Sequence, residues 1–332
     1  MRQIVEPKTL QEAIVYFADL DTCIHYLAAK RWPDGVAVCP TCGERDVPYV
    51  EARRLWQCKR RHPKCQFSVK VGTVFEDSPI ALSKWLMAMW MVANCKNGVS
   101  SWEIHRSLDV TQKTAWFMLH RIRLALEGKA SHHLGGEHGG PVEIDETYVG
   151  GNRRNMHASR RLKMQRAMKD EAGKTIVMGI LDRDLRQVRA KVIPNVKRET
   201  LQAEILANVG RKSEIYTDTL TGYDHLGRSE QEYVHQTVNH MLEYVRGQVH
   251  TQGIENFWSL LKRGLKGTYV SVEPFHLNRY VGEQIFRYNN RATRDNPLND
   301  SDRFALAVSQ IVGKRLTYAE LTGKVEETSQ PF

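Results

Sequence analysis

Between Val142 and Leu265 the hydrophobic period and the turn signals alternate in an order that few folds accept. Val142-Glu143-Ile144-Asp145-Glu146-Thr147-Tyr148 reads as a strand. Thr175 to Asp182 and Val188 to Val192 read as two more, joined by a turn at Arg183 to Arg186. Glu199 to Val209 then reads as a helix, Glu214 to Thr217 and Tyr233 to Gln236 as short strands, and Gly253 to Leu265 as a second helix. Phe275 to Asn290 continues as an amphipathic helix carrying Tyr280, Ile285, Phe286 and Tyr288.

Three early strands, a helix, then alternating strands and helices is the order expected of an RNase H-like mixed sheet. The expected class is α+β or α/β, with smaller elements ahead of that sheet. Leu10 to Ala29 has helical periodicity and predicts one amphipathic helix, broken at Trp32-Pro33-Asp34-Gly35. Strand-like pieces follow around Val47 to Val50 and Leu55 to Gln57, and the alternation from Phe67 to Phe75 predicts a paired strand element. Leu82 to Ala93 reads as a helix, Ser100 or Ser101 caps a second to Leu108, and Thr111 caps a third through Arg123. The expected organisation is an N-terminal helix (1–30), a zinc ribbon (31–78), a helical DNA-binding domain (79–127), a linker (128–141), a catalytic domain (142–295) and a polar, peripheral C-terminal tail (296–332).

The ribbon is read from cysteine spacing. Of the 6 cysteines, Cys39 and Cys42 form a C-x-x-C pair, and Cys58 and Cys65 follow closely. Three thiolates from Cys39, Cys42 and Cys58 suit tetrahedral Zn2+, and clustering of this kind favours metal over a disulfide framework. His62 gives the tighter C-x3-H spacing as fourth ligand, with Pro63 to stiffen the turn, and Cys65 is the alternative. Cys23 and Cys95 fall on apolar helix faces and are expected to be buried bystanders.

The acidic residues carry the chemistry. Asp145 sits in a strand, where an isolated charge is costly unless it binds metal or lies at the mouth of the sheet. Its neighbours Glu143 and Glu146 read as surface charges, one on each face. Asp218 ends the strand Ile215-Tyr216-Thr217, a position equally suited to a turn cap. Glu255 and Lys262 are seven residues apart on a helix, so at about 100° per residue they return to within roughly 20° of one another. Three carboxylates so placed suit two magnesium ions over a phosphodiester, with a cation nearby to grip the backbone.

Charge points to the same partner. Lys and Arg number 48 against 38 Asp and Glu, a net charge of +10, which favours a polyanion. From Asn152 to Lys169 lie Arg153, Arg154, Arg160, Arg161, Lys163, Arg166 and Lys169 with no acid among them. A segment like this after Asp145 is expected to act as a phosphate-binding arm. The helices from Trp85 to Arg123 suit a helix-turn-helix in which Gln112 and Lys113, at the start of the last helix, face DNA. No apolar run reaches membrane-spanning length, and cysteine usage suggests a reducing, cytoplasmic and nucleoid-associated setting.

The stretches CPTCG, FSVKVGTVFEDSPI, EIDETYVGG, IYTDTLTGYDHL, HTQGIENFWSLLKRGLKGTYV and EQIFRYNNR resemble bacterial insertion-sequence transposases with a zinc ribbon and an RNase H-like DDE domain. The resemblance runs from about residue 20 to 310. It implies cut-and-join chemistry at the ends of a mobile element with Mg2+ or Mn2+, acting on terminal inverted repeats and target DNA as a homodimer or larger assembly. Asp145 and Asp218 would be the first two metal ligands and Lys262 the family's downstream basic residue, with His250 near the site. Some members carry asparagine as the third catalytic residue, so Asn256 stands as the alternative to Glu255. Geometry favours Glu255, because Asn256 and Lys262 lie about 120° apart around the helix. The rival readings are an RNase H-fold nuclease that cuts without joining, and an inactive zinc-ribbon and helix-turn-helix regulator.

Overall fold

The computed structural model describes residues 6–128, 132–136, 140–150, 174–218, 220–224, 226, 232–237, 250–294 and 296–324. The basic stretch carrying Arg153, Arg154, Arg160, Arg161 and Lys163 lies outside the described residues. The chain divides into two compact units, one formed by 1–128 with 290–332 and the other by 129–289. Among the described residues no helix is long and apolar enough to cross a membrane.

The first unit begins with α1 (Leu10–Tyr16) and α2 (Leu20–Arg31), where the sequence suggested a single helix. Asp19 makes the break, since its carboxylate accepts the Thr22 N–H at 2.8 Å and caps a new helix. Next come β1 (Tyr49–Val50), β2 (Leu55–Gln57) and β3 (Gln66–Phe67), a three-stranded antiparallel sheet. Phe67 is the last strand residue of the alternating 67–75 run, which turns away through Gly72 at φ 75° and then makes a single antiparallel bridge, Thr73 to Val312. Trp56 stacks on Phe67 and meets Trp32 edge-on, giving the ribbon a small aromatic core.

Three helices follow. The helix α3 (Leu82–Asn94) buries nine residues, Trp85, Leu86, Met89 and Trp90 among them. A capping box between Ser100 and Glu103 starts α4 (Ser101–Leu108), and Asp109 in the left-handed region ends it. Thr111 caps α5 (Gln112–Leu126), as its sequence suggested.

The second unit is an α+β sandwich. Its sheet contains β4 (Val142–Val149), β5 (Thr175–Asp182), β6 (Gln187–Ile193), β7 (Glu214–Thr217) and β8 (Val234–Thr237), in the order β6-β5-β4-β7-β8. The first three pair antiparallel, and β7 and β8 run parallel to β4. This mixed sheet agrees with the expected RNase H-like order. Helix α6 (Arg198–Asn208) covers one face, where Leu201 and Ile205 pack with Ile144 and Ile180. Helices α7 (Gln252–Gly267) and α8 (Leu277–Asn289) contribute Ile254, Phe257, Leu261 and Val281 to the other face, against Val177, Leu181 and Val188. With both faces covered, seven of the eight residues of β5 are buried.

The chain then returns to the first unit as α9 (Asp300–Ser309) and α10 (Tyr318–Leu321). The expected peripheral tail is in fact tied into the core there. Phe304 is fully buried, stacked on Tyr26 and packed against Phe17 and Trp90. One aromatic in a polar helix carries little period signal, which is why the sequence conceals this contact.

Candidate metal centres

In the ribbon, the ligand atoms of Cys39, Cys42, Cys58 and His62 all lie within 4.8 Å of one another. Gly43, at φ 73°, closes the C-x-x-C knuckle, with its N–H bonded to the Cys39 carbonyl at 3.0 Å. Cys58 leaves β2 and places its sulfur 3.6 Å from that of Cys42. The His62 ring presents Nε2 toward Cys39 at 3.5 Å and donates from Nδ1 to the Pro63 carbonyl at 2.7 Å. That second bond fixes the tautomer with Nε2 free to take a metal. Cys65, the alternative fourth ligand, is not among the four converging residues. Its carbonyl accepts the Cys58 N–H at 2.7 Å, and its sulfur accepts from the Gln57 amide at 3.5 Å.

Thiol electrostatics fit a metal site. Burial raises the Cys39 pKa, but the N–H groups of Cys42 and Thr41 and the neighbouring thiols outweigh it and bring Cys39 down to about 7. Burial and the nearby sulfurs hold Cys58 up at about 11. Three soft sulfurs and one imidazole nitrogen in a tight cluster are a structural Zn2+ set. Of the other cysteines, Cys23 is buried and bonds the Phe17 carbonyl, whereas Cys95 is exposed at the end of α3, contrary to expectation.

The acidic site is built where β4 and β7 run side by side. Glu143 is in register with Tyr216, so two residues further along the parallel pair Asp145 comes beside Asp218. Asp218 also caps its own turn, accepting the Leu220 N–H at 3.0 Å. Glu255 lies in the first turn of α7 and accepts from the Thr251 hydroxyl at 3.0 Å. Asn256 is exposed at the next position, about 100° further round the helix. Lys262 is half-buried two turns on from Glu255.

Asp145 senses the other two carboxylates. Asp145 is pushed up to about 6, chiefly by burial; an N–H from Trp258 at 2.9 Å opposes this, and the charges of Asp218 and Glu255 add to it. Among the described residues the cysteine–histidine set is the one in which ligand atoms converge within 4.8 Å, so the carboxylates form a looser group. Hard oxygens with mutual repulsion are the donor set that a hard divalent cation relieves.

Three neighbours, Glu143, Trp258 and Glu146, were not legible as parts of this site, whereas His250 was expected near it. Glu143 is buried rather than a surface charge: it pairs with Arg183 at 2.6 Å and accepts the Ile254 N–H at 2.8 Å. Trp258 bonds Asp145 directly. Glu146, also expected at the surface, is half-buried on the opposite face of β4 and hydrogen-bonded to the Tyr223 hydroxyl; burial first, then Asp145 and Asp218, push it up to about 8. His250 accepts from Arg183 at its ring and its carbonyl. The period-2 spacing of Glu143 and Asp145 is the one signal that put both on one face.

Gln112 and Lys113, the residues expected to read DNA, open α5. Gln112 is half-buried and donates to the Ser101 hydroxyl at 2.9 Å, linking α4 to α5. The Lys113 ammonium is exposed above the Tyr318 ring.

Residues 137–289 match the family described as ISXO2-like transposase domain, and residues 19–67 match the transposase zinc-ribbon domain. An uncharacterized protein in transposable element ISH50 of Halobacterium salinarum is 32% identical, over 72% of this chain and 81% of that protein. An uncharacterized transposase-like protein of Haemophilus influenzae is 35% identical over 31% of this chain and 82% of its own length. A chain in a simian T-cell lymphotropic virus intasome complexed with PP2A regulatory subunit B56 gamma overlaps 58% of this chain and 66% of its own, at 12% identity and a TM-score of 0.26. That score is too low to carry an argument. Identity and coverage with the ISH50 protein, together with the two domain matches, place this chain among the insertion-sequence transposases with an N-terminal zinc ribbon and an ISXO2-like transposase domain.

Proposed function

We propose that the protein cleaves DNA at transposon ends and joins the freed 3′ ends to target DNA. The observation that carries this reading is the approach of Asp145, Asp218 and Glu255 on two parallel strands and one helix, where the charges of Asp218 and Glu255 add to the burial that raises the Asp145 pKa. Family membership supplies the substrate class, DNA, and the expectation of terminal repeats.

Asp145, Asp218 and Glu255 would hold Mg2+ or Mn2+. Bound there, the ions supply an activated water for hydrolysis and neutralise charge on the leaving 3′ oxygen. Raised to about 6, Asp145 is still mostly ionised at neutral pH and available as a ligand. Lys262, two helical turns on from Glu255 on the same face of α7, would contact a phosphate beside the reacting bond. Joining follows when the 3′-OH attacks target phosphorus in line, releasing the target's own 3′ oxygen, and no covalent protein intermediate is needed. The ribbon, α4 and α5, and the basic stretch at Arg153, Arg154, Arg160, Arg161 and Lys163 would bind backbone and position the ends. Two ends must come together, so a dimer or larger assembly on DNA is part of the proposal.

Incubating the protein with pre-cleaved end DNA and supercoiled target tests it. Joined product that requires Mg2+ or Mn2+ is expected. Hydrolysis without joining would support a nuclease instead, and DNA binding without either reaction would support a regulator.

A further inference from the structure

The helix that carries Glu255 is pinned to the strand that carries Asp145 at two points one helical turn apart. Glu143 Oε2 accepts the Ile254 N–H at 2.8 Å, and Asp145 Oδ2 accepts from the Trp258 indole at 2.9 Å. Glu143 and Asp145 share a strand face, and Ile254 and Trp258 bracket Glu255 in sequence. The first of these bonds is a helix cap supplied from another element. Ile254 belongs to the first turn of α7, whose N–H groups have no partner within the helix, and the Thr251 side chain makes no capping bond. A carboxylate there also faces the positive end of the helix. Arg183 holds Glu143 in place through Nε at 2.6 Å, donates to the His250 ring and carbonyl at 2.9 and 2.7 Å, and lies over the Tyr216 ring.

Two glycines make room for these contacts. A Cβ at Gly253 would lie 2.9 Å from Glu143 Oε2 and 3.1 Å from a Leu181 methyl. A Cβ at Gly179 would lie 2.6 Å from two carbons of the Trp258 indole. Gly179 is the cross-strand partner of Asp145. The notch in β5 therefore lets the indole lie flat enough for its N–H to reach the carboxylate.

We propose that Trp258 and Glu143 are positioning residues that set the register of α7 on β4, and so fix Glu255 relative to Asp145 for metal binding. This rests on the reading of Asp145 and Glu255 as metal ligands. Partners one step removed from a ligand typically change metal affinity 10–100-fold when lost.

The test uses the full chain and Mn2+ titrated by calorimetry, with strand transfer as a second readout. Trp258→Phe keeps an aromatic ring but loses the N–H. It is expected to weaken Mn2+ binding about 10-fold or more and to lower kcat while leaving KM for DNA unchanged. Gly179→Ala should do the same by displacing the indole, and should add little in a Trp258→Phe background, where the smaller ring leaves space. Glu143→Gln should speed hydrogen exchange at the Ile254 amide, a readout independent of activity and of metal. Asp145→Asn is the control for the underlying reading and should abolish Mn2+ binding. If Asp145→Asn binds Mn2+ normally, that reading fails and the positioning role with it. If Asp145→Asn loses Mn2+ but Trp258→Phe and Gly179→Ala bind it like the unaltered protein, the positioning proposal alone is overturned. Unchanged exchange at Ile254 in Glu143→Gln removes Glu143 from it.

Discussion

Replacing His62 and Cys65 in turn separates the two candidate fourth ligands of the ribbon. The ribbon has strands of two, three and two residues and an aromatic core centred on Trp32, Trp56 and Phe67. A unit this small does not bury enough apolar surface to hold itself together, and metal supplies the difference. Zinc bound by small finger-like peptides contributes roughly 10–16 kcal/mol of apparent free energy near neutral pH. Loss of one of four ligands should therefore empty and loosen the ribbon while leaving the mixed-sheet unit folded. Elemental analysis after dialysis against a mild chelator gives the answer. The unaltered chain and Cys65→Ser are expected to keep about one zinc each, and His62→Ala to fall well below half. Proton release gives a second check. Cys39 near 7 is partly thiolate at neutral pH, whereas Cys58 near 11 is a thiol that zinc must deprotonate. Binding should consequently release protons and weaken as pH falls. Zinc lost from Cys65→Ser but kept by His62→Ala would refute the assignment.

Other consequences can be measured on the same preparations. Phe304→Ala should destabilise the first unit by about 3–5 kcal/mol in urea melts, because the ring is fully buried among Phe17, Tyr26 and Trp90; a change below 1 kcal/mol would show that α9 does not pack there. Glu143→Ala takes one partner from Arg183, which keeps its bonds to His250, and leaves the Ile254 N–H without its carboxylate acceptor; it should cost about 1–3 kcal/mol in the second unit. Asp145 at about 6 and Glu146 at about 8 both bind protons more tightly when folded than in model peptides. The metal-free protein should accordingly lose stability as pH rises from about 4 through 8. Mg2+ should restore stability at pH 8 and do so less at pH 5, where Asp145 is protonated; thermal melts with and without the ion test this, and Asp145→Asn should abolish the effect.

Much of the site could be read from sequence because its parts are local. A charge in the middle of a strand marks Asp145, a charge at a strand end marks Asp218, and a seven-residue helical spacing links Glu255 to Lys262. The ribbon ligands follow from spacing in the same way. The supporting residues depend on pairings that spacing does not encode. Glu143 looks like a surface charge until the start of α7 is laid on β4. Gly179 has no visible purpose until Trp258 crosses the sheet opposite Asp145. Phe304 is one aromatic in a polar helix, and its stacking on Tyr26 joins residues that are distant in sequence. Short-range cues also misled in places. The alternation from Phe67 to Phe75 continues past the point where the chain turns at Gly72, and Asp19 divides an apparently continuous helix.

Strand transfer by Glu255→Gln and Asn256→Ala, assayed side by side on pre-cleaved end DNA in Mg2+, tests the carboxylate site most directly. Loss of joined product in Glu255→Gln, with Asn256→Ala retaining most of its activity, is the expected result. Full activity in Glu255→Gln together with loss in Asn256→Ala would contradict the assignment and place the third metal ligand on the neighbouring position of the helix.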